Sequence, residues 1–261
     1  MKKIFAISDI HGHFKEMLEA LNESGFDIDN ENHLLIVCGD SFDRGCENVS
    51  VYKYLKHLTS LNRAIVLKGN HDNFLISFFE NDQPYYNYFN YNNNGMCETI
   101  ADFMEETRPF ETYCLLTRQE YSWDSWNKWV DITKKCVQKE YPELIEWLKG
   151  LPNYYETENY IFTHASLDLK CDNWREPKKP WEELHFDNGN FIKKLNNTLK
   201  TIVLGHFDTG DLREMHHLGS VDDHSILKTE DNKIFIDGCV VLTKKVNVLV
   251  LEDNLLEKEG E

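Results

Sequence analysis

The chain of 261 residues is long enough for one large domain or two small ones, and 41% hydrophobic with 13% aromatic content is that of a folded globule, not a disordered chain. A formal charge of −17 argues against a broad basic surface for nucleic acid, while leaving room for a nucleotide in a pocket. Seven scattered cysteines with no C-x-x-C pair fit a reducing cytosol rather than a disulfide framework, and Cys38, Cys97 and Cys239 are read as small core residues.

Residues 4–7 form a continuous apolar run, which predicts a strand covered on both faces. The stretch before Asp9 is too short for a signal peptide, and no later run reaches the length of a bilayer span, so a soluble, cytoplasmic protein is expected. The strand ends at Ser8-Asp9-Ile10-His11-Gly12-His13. Phe14, Met17, Leu18 and Leu21 then recur at helical spacing up to Gly25. A second apolar run, 34–38, leads into Gly39-Asp40-Ser41-Phe42-Asp43-Arg44-Gly45, where two carboxylates and a guanidinium crowd into a loop. Carboxylates this close need positive charge beside them. Val49, Tyr52, Leu55 and Leu58 predict another helix, and residues 64–67 a third strand, followed by Lys68-Gly69-Asn70-His71-Asp72. Three strand-to-helix units favour parallel pairing.

The middle differs. Residues from about 84 to 147 carry Tyr85, Tyr86, Tyr88, Tyr91, Trp123, Trp126 and Trp129, with helices predicted at 96–103, 123–137 and 144–148. This stretch is read as a helical insertion or cap within a single domain spanning 1–261. Its aromatic cluster is expected to be mostly core, with a possible second role as a roof over the site that sets substrate selectivity. Strand character returns at 160–162, before Thr163-His164-Ala165, and at 201–204, before Gly205-His206-Phe207. The last third, 233–251, reads as an antiparallel, hairpin-rich section built on 234–236 and 246–251, and the acidic tail 257–261 is expected to fray.

Five strand-like runs thus end within three residues in metal-competent side chains: Asp9 and His11, Asp40, Asn70 and His71, His164, and His206. Loops at the carboxyl ends of strands converge, so these groups can meet. A donor set of His, Asp and Asn without Cys favours Mn, Fe or Zn. Two ions about 3.5 to 4 Å apart need a shared ligand, and a carboxylate is suited to that; Asp40 is the candidate.

The series Asp9-Ile10-His11-Gly12, Gly39-Asp40-x-x-Asp43-Arg44-Gly45, Gly69-Asn70-His71-Asp72, Thr163-His164-Ala165 and Gly205-His206 resembles the motifs of calcineurin-like metallophosphoesterases. The nearest branch is the bacterial and phage Ser/Thr protein phosphatases of the phosphoprotein phosphatase type, with symmetrical diadenosine tetraphosphatases nearby. The resemblance extends through Ile236-Asp237-Gly238-Cys239 and the Val-rich run after it, nearly the whole chain. It implies an α+β fold, a four-layer α/β/β/α sandwich of two mixed sheets with two divalent ions, Mn foremost, at one sheet edge. By the same resemblance Asp9 and His11 hold the first ion, Asp40 bridges, and Asn70, His164 and His206 hold the second. A hydroxide between the ions attacks phosphorus in line. His71 is the candidate general acid, oriented by Asp43. Arg44 grips the phosphate, unless it serves only as an ion-pair partner for Asp43.

The chain departs from the family pattern at Asp72, where the protein-phosphatase branch has Glu, at Ser166, and at Phe207-Asp208. A second phosphate-binding arginine is expected between the last two histidines in a Trp-x-Arg context. Asn173-Trp174-Arg175 offers the pattern early, and Trp181 to Asp187 offers no Arg. Arg175 or His185 therefore supplies the second clamp, or it is missing. His13 is read as a neighbour of the site, and His33, His57, His216, His217 and His224 as surface or loop residues. Arg108 and Arg118 are read as solvated charge that can also meet a second phosphate. Three functions compete: a metal-dependent phosphomonoesterase acting on phosphoproteins or small phosphoesters, a nucleotide pyrophosphohydrolase or phosphodiesterase, and a non-catalytic metal-binding homologue.

Overall fold

Strands that are apolar on both faces need two layers of cover, and the chain provides them by stacking two sheets. A computed structural model describes residues 1–106 and 109–256; the tail at 257–261 and Arg108 lie outside the described residues. The strands are β1 (Lys2–Ile7), β2 (His33–Val37), β3 (Ala64–Val66), β4 (Tyr154–Glu156), β5 (Tyr160–Thr163), β6 (Thr201–Leu204), β7 (Leu227–Lys228), β8 (Lys233–Phe235) and β9 (Leu249–Asp253). The first sheet has the order β3-β2-β1-β9 and the second β4-β5-β6-β8-β7. Parallel pairing joins β1, β2 and β3, while β9 closes that sheet antiparallel to β1. In the second sheet β5, β6 and β8 run parallel between the antiparallel edges β4 and β7. Both sheets are mixed, as the resemblance implies.

The period of two along each strand sorts side chains into layers. Ile4, Ala6, Leu34 and Ile36 point inward and meet Phe162, Val203 and Ile234 of the second sheet. Phe5, Ile7, Leu35 and Val37 point the other way, against Met17 and Leu21 of α1 (Phe14–Glu23) and Val51 and Leu55 of α2 (Asn48–Ser60). Ile161, Ile202, Leu204 and Phe235 cover the far side of the second sheet with Trp174, Phe191 and Leu212. Each such side chain contributes about 1.5–3 kcal/mol by leaving water.

Helices α3 (Asn70–Glu80), α4 (Pro84–Asn93), α5 (Met96–Met104), α6 (Pro109–Thr117), α7 (Trp123–Glu140) and α8 (Leu144–Lys149) follow β3. Trp126, Trp129, Tyr91 and Phe110 are buried in the same cluster as Phe78 and Phe79 of α3 and the outer residues of the first sheet. The short helices α9 (Trp181–Leu184), α10 (Thr209–Met215) and α11 (Val240–Thr243) complete the chain.

Two expectations are corrected. The runs at 234–236 and 246–251 do not form a hairpin: β8 pairs with β6 in one sheet and β9 with β1 in the other. Cys239 and Lys244, both at positive φ, bracket α11 and turn the chain across the gap between the sheets. Of the cysteines expected in the core, only Cys38 is buried; Cys97 and Cys239 are partly exposed. No helix among the described residues is long and apolar enough to cross a membrane.

One carboxylate ties the sheets together away from the loops described below. Asp253 at the end of β9 accepts hydrogen bonds from the Thr157 hydroxyl at 2.6 Å and from the Asn159 backbone N–H and side-chain amide at 2.8 and 2.6 Å, both in the β4–β5 turn. Replacing it takes this acceptor from the buried Thr157 hydroxyl and from the two N–H donors of Asn159. Asp253→Ala is expected to lower stability by about 2–3 kcal/mol, read as a lower urea midpoint at unchanged m value. An unaltered midpoint would show that the sheets are not held there.

Candidate active site

Five strand ends deliver the site. Asp9 and His11 follow β1, Asp40 follows β2, and His164 and His206 follow β5 and β6. Asn70 and His71 follow β3 and stand in the first turn of α3, the helix of the third strand-to-helix unit. The loops are laced together: Asp9 N–H donates to the Gly39 carbonyl, and His11 N–H to that of Asp40, each at 3.1 Å. Asp9, His11, Asp40, Asp43, Arg44 and His206 all take positive φ, between 47° and 73°. Such left-handed residues cost of order 1 kcal/mol or more and persist where neighbours over-determine them. Gly39 and Gly69 allow the closeness. Gly39 is itself left-handed at φ 85°, and a Cβ on Gly69 would overlap the Asp40 carboxylate.

Side-chain donors gather around Asp40 in two overlapping groups, His11–Asp40–His71 and Asp40–His164–His206, with ligand atoms within 4.8 Å of one another. The two oxygens of Asp40 face different imidazoles: Oδ2 lies 3.8 Å from His11 Nε2 and Oδ1 3.4 Å from His164 Nε2. Backbone carbonyls set the tautomers, because a carbonyl can only accept. His11 donates from Nδ1 to Phe42 and His164 from Nδ1 to Cys38, freeing both Nε2 atoms; His206 donates from Nε2 to Asp187, freeing Nδ1. The bare Nε2 of His164 then faces the Asn70 Oδ1 at 2.9 Å. Two lone pairs held that close need a cation between or beside them.

The charge balance points the same way. Burial raises the pKa of Asp9, with Asp40's charge adding to it, and burial followed by Asp9's charge raises that of the sequence-missed Asp237. Burial likewise raises Asp40 and pushes Asp72 up to about 6. The imidazoles move oppositely: burial holds His11, His71 and His164 well below the usual histidine value. Several carboxylates buried beside neutral imidazoles are the donor set that divalent cations fit.

A second unit stands beside the first. His71 Nδ1 donates to Asp43 Oδ2 at 2.8 Å, and burial pushes Asp43 up to about 7 against the hydrogen bond from Thr99. Thr99 of α5 donates to Asp43 Oδ1 at 2.6 Å and accepts from Asp43 N–H at 2.9 Å. Arg44 donates from Nη1 to His11 Nε2 and from Nη2 to His71 Nε2, each at 3.0 Å, so it lies between two imidazoles rather than on Asp43. Its N–H is held by the Gly95 carbonyl at 3.1 Å. Nothing local to residues 95–99 signals this role; it depends on packing across the helical layer. Asp237 had a signal, since it ends an apolar run as Asp9 and Asp40 do.

Arg175 is not at the site. Its guanidinium is committed to Glu156 on β4, Nε at 2.8 Å and Nη2 at 2.6 Å, and lies over Trp174. His185 is the alternative that does arrive: it is buried edge-on to His164 at 6.4 Å, with Nδ1 on Asn73 and burial lowering its pKa to about 3. Asp72, a departure from the pattern, accepts from the backbone N–H groups of Gly69 at 2.8 Å and Asp40 at 3.1 Å, fixing the two loops to each other. His13 sits beside His11, and Lys244 donates to its Nε2. His33, expected at the surface, is buried against Phe5 and Phe26, while Arg118 is exposed. Because Gly69 leaves no room for a side chain, Gly69→Ala is expected to displace Asp40 and weaken Mn binding about 10- to 100-fold by titration calorimetry. Wild-type affinity in that variant would mean that Asp40 does not hold the ion.

The model of the calcineurin-like phosphoesterase family matches residues 2–234. A symmetrical bis(5′-nucleosyl)-tetraphosphatase of Proteus mirabilis is 25% identical over 222 residues, 69% of this chain and 77% of that protein. The Shewanella-like protein phosphatase 1 of Plasmodium berghei is 25% identical over 177 residues, 64% of this chain but 40% of that longer protein. The crystal structure of a cold-active protein-tyrosine phosphatase from a psychrophilic Shewanella superposes with a TM-score of 0.56 at 16% identity, covering 97% of this chain and 76% of that one. With its two mixed sheets and donors ranged around Asp40, the chain belongs to the calcineurin-like phosphoesterases, metal-dependent hydrolases of phosphoester bonds.

Proposed function

We propose that this hydrolase is a phosphomonoesterase of the Ser/Thr protein phosphatase type, cytoplasmic, and served by two divalent ions, Mn in preference to Fe or Zn. The free thiols among the described residues support a reducing compartment. Asp9, His11 and Asp40 would hold one ion, and Asp40, Asn70, His164 and His206 the other. Such ions supply Lewis acidity toward phosphoryl oxygens and lower the pKa of water toward neutrality. The protein's own groups do the rest. Arg44, poised between His11 and His71, offers a fork of N–H donors to two phosphate oxygens. His71 would give a proton to the leaving oxygen from Nε2, the nitrogen that accepts from Arg44 in this structure and must first be protonated, and Asp43 holds its ring by Nδ1. Thr99 and burial keep Asp43 in place. The observation that carries this assignment is the single carboxylate of Asp40 facing imidazoles on both sides, with the His71–Asp43 pair turned to the same spot.

A second reading, nucleotide pyrophosphohydrolase, is favoured by the tetraphosphatase from Proteus mirabilis among the relatives. Rates on a phosphopeptide and on diadenosine tetraphosphate under one Mn concentration separate the two. Cleavage of p-nitrophenyl phosphate is expected to require Mn, and Asp40→Asn is expected to bind less metal. No hydrolysis by the wild type, together with undiminished metal binding by Asp40→Asn, would defeat the assignment. His71→Asn should keep both ions and lose about 100-fold or more in kcat on alkyl esters, with a smaller loss on p-nitrophenyl phosphate, whose oxygen leaves without a proton. Loss of metal instead would make His71 a ligand.

A further inference from the structure

Beside Asn70 a cavity of about 240 Å³ opens between α3, the start of α4 and the segment after α9. Its walls are rings that begin one ring away from the catalytic imidazoles. Phe74 lies 5.1 Å from His71 and carries Tyr86 edge-on at 5.3 Å; across the cavity Phe186 lies 5.6 Å from His206. Phe186 and Tyr86 are 59% and 41% exposed, so both rings are open to a ligand. The rim is acidic. Glu80 is paired with Lys149 at 2.6 Å, but Asp82 and Glu182 are exposed and have no Lys or Arg within ion-pair distance among the described residues.

We propose that this cavity is the leaving-group subsite and that it takes an aromatic ring bonded directly to the ester oxygen, as in phosphotyrosine. The inference rests on the phosphomonoesterase assignment above. Asn70, next in the chain to His71, lines the cavity together with Phe74, Tyr86 and Phe186, while His71 itself stands behind Phe74, so a leaving group that passes Asn70 meets these three rings. A ring attached to the ester oxygen falls between these walls, whereas the base of a nucleotide is carried beyond them by its ribose. The volume is below the roughly 300–1,000 Å³ of sites that enclose a drug-sized ligand, so the walls enclose one ring and leave the rest of a larger ligand in solvent. Asp82 disfavours a further phosphate, and Glu182 does so less because Lys68 lies near it. In the step itself the P–O(aryl) bond breaks, the phosphoryl group passes to water, and the phenol leaves with the proton given by His71.

The test is the ratio of kcat/KM for phosphotyrosine to that for phosphoserine, measured with Mn for wild type, Phe186→Ala and Tyr86→Ala; both side chains are exposed enough for the variants to fold. The ratio is expected to fall about tenfold in each variant, mainly through a higher KM for phosphotyrosine. Asp82→Asn combined with Glu182→Gln is expected to raise kcat/KM for diadenosine tetraphosphate about fivefold relative to phosphotyrosine. A ratio unchanged within about twofold in both ring variants overturns the subsite while leaving the phosphomonoesterase assignment standing. An equal loss on adenosine 5′-monophosphate would assign the rings to a base and overturn the aryl ester. Absence of turnover on both amino-acid esters by the wild type removes the phosphomonoesterase assignment itself.

Discussion

The loops at the candidate site converge on one carboxylate buried where two sheets meet. Asp40 has almost no contact with solvent, and each of its oxygens faces an imidazole from a different sheet. A carboxylate in that position is costly unless positive charge reaches it. Arg44 supplies part of that charge, while left-handed backbone at the strand ends, Asp72 bridging the β2 and β3 loops, and glycines where a Cβ would intrude hold the loops in place. The same constraint explains why the histidines are tied to backbone carbonyls. A ring fixed by a carbonyl has one free nitrogen and one orientation, so the donors need little reorganisation to act together.

The strand ends were legible in the sequence because a buried parallel strand is an unbroken apolar run, and the polar residue that ends it must lie at the sheet edge. Asp9, Asp40, His164 and His206 all carried that mark. What the pattern does not encode is partnership. Arg175 satisfied a Trp-x-Arg pattern, yet Glu156, nineteen positions away, takes its charge. The apolar run 246–251 announced a strand but not its sheet. The third strand-to-helix unit implied helix α3 but left its bounds open, although Phe74, Leu75, Phe78 and Phe79 recur at helical spacing behind Gly-Asn-His-Asp. Thr99 was invisible because it meets Asp43 across 56 positions of chain.

The helical segment 84–147 is mostly core, as expected of its aromatic cluster. Most of its tryptophans and tyrosines fill the layer against the first sheet, and Trp126 and Trp129 are fully buried there. Its influence on the chemistry passes through two small groups, the Thr99 hydroxyl on Asp43 and the Gly95 carbonyl on Arg44. Of the described aromatic residues between 84 and 147, Tyr86 lines the cavity next to Asn70.

His11, Asp40 and Asn70 issue from one sheet, His164 and His206 from the other. On the proposed assignment, ions bound by both groups grip the native fold and find no such site in the unfolded chain. Mass action then adds about 2.7 kcal/mol of stability when the free ion stands at a hundred times its dissociation constant. The sandwich would be held at opposite ends by different means, the Asp253 hydrogen bonds at one and a cation-dependent strap at the other. Metal starvation would thus act as a partial denaturant of this enzyme, loosening the sheet edges that carry its histidines before the hydrophobic layers give way.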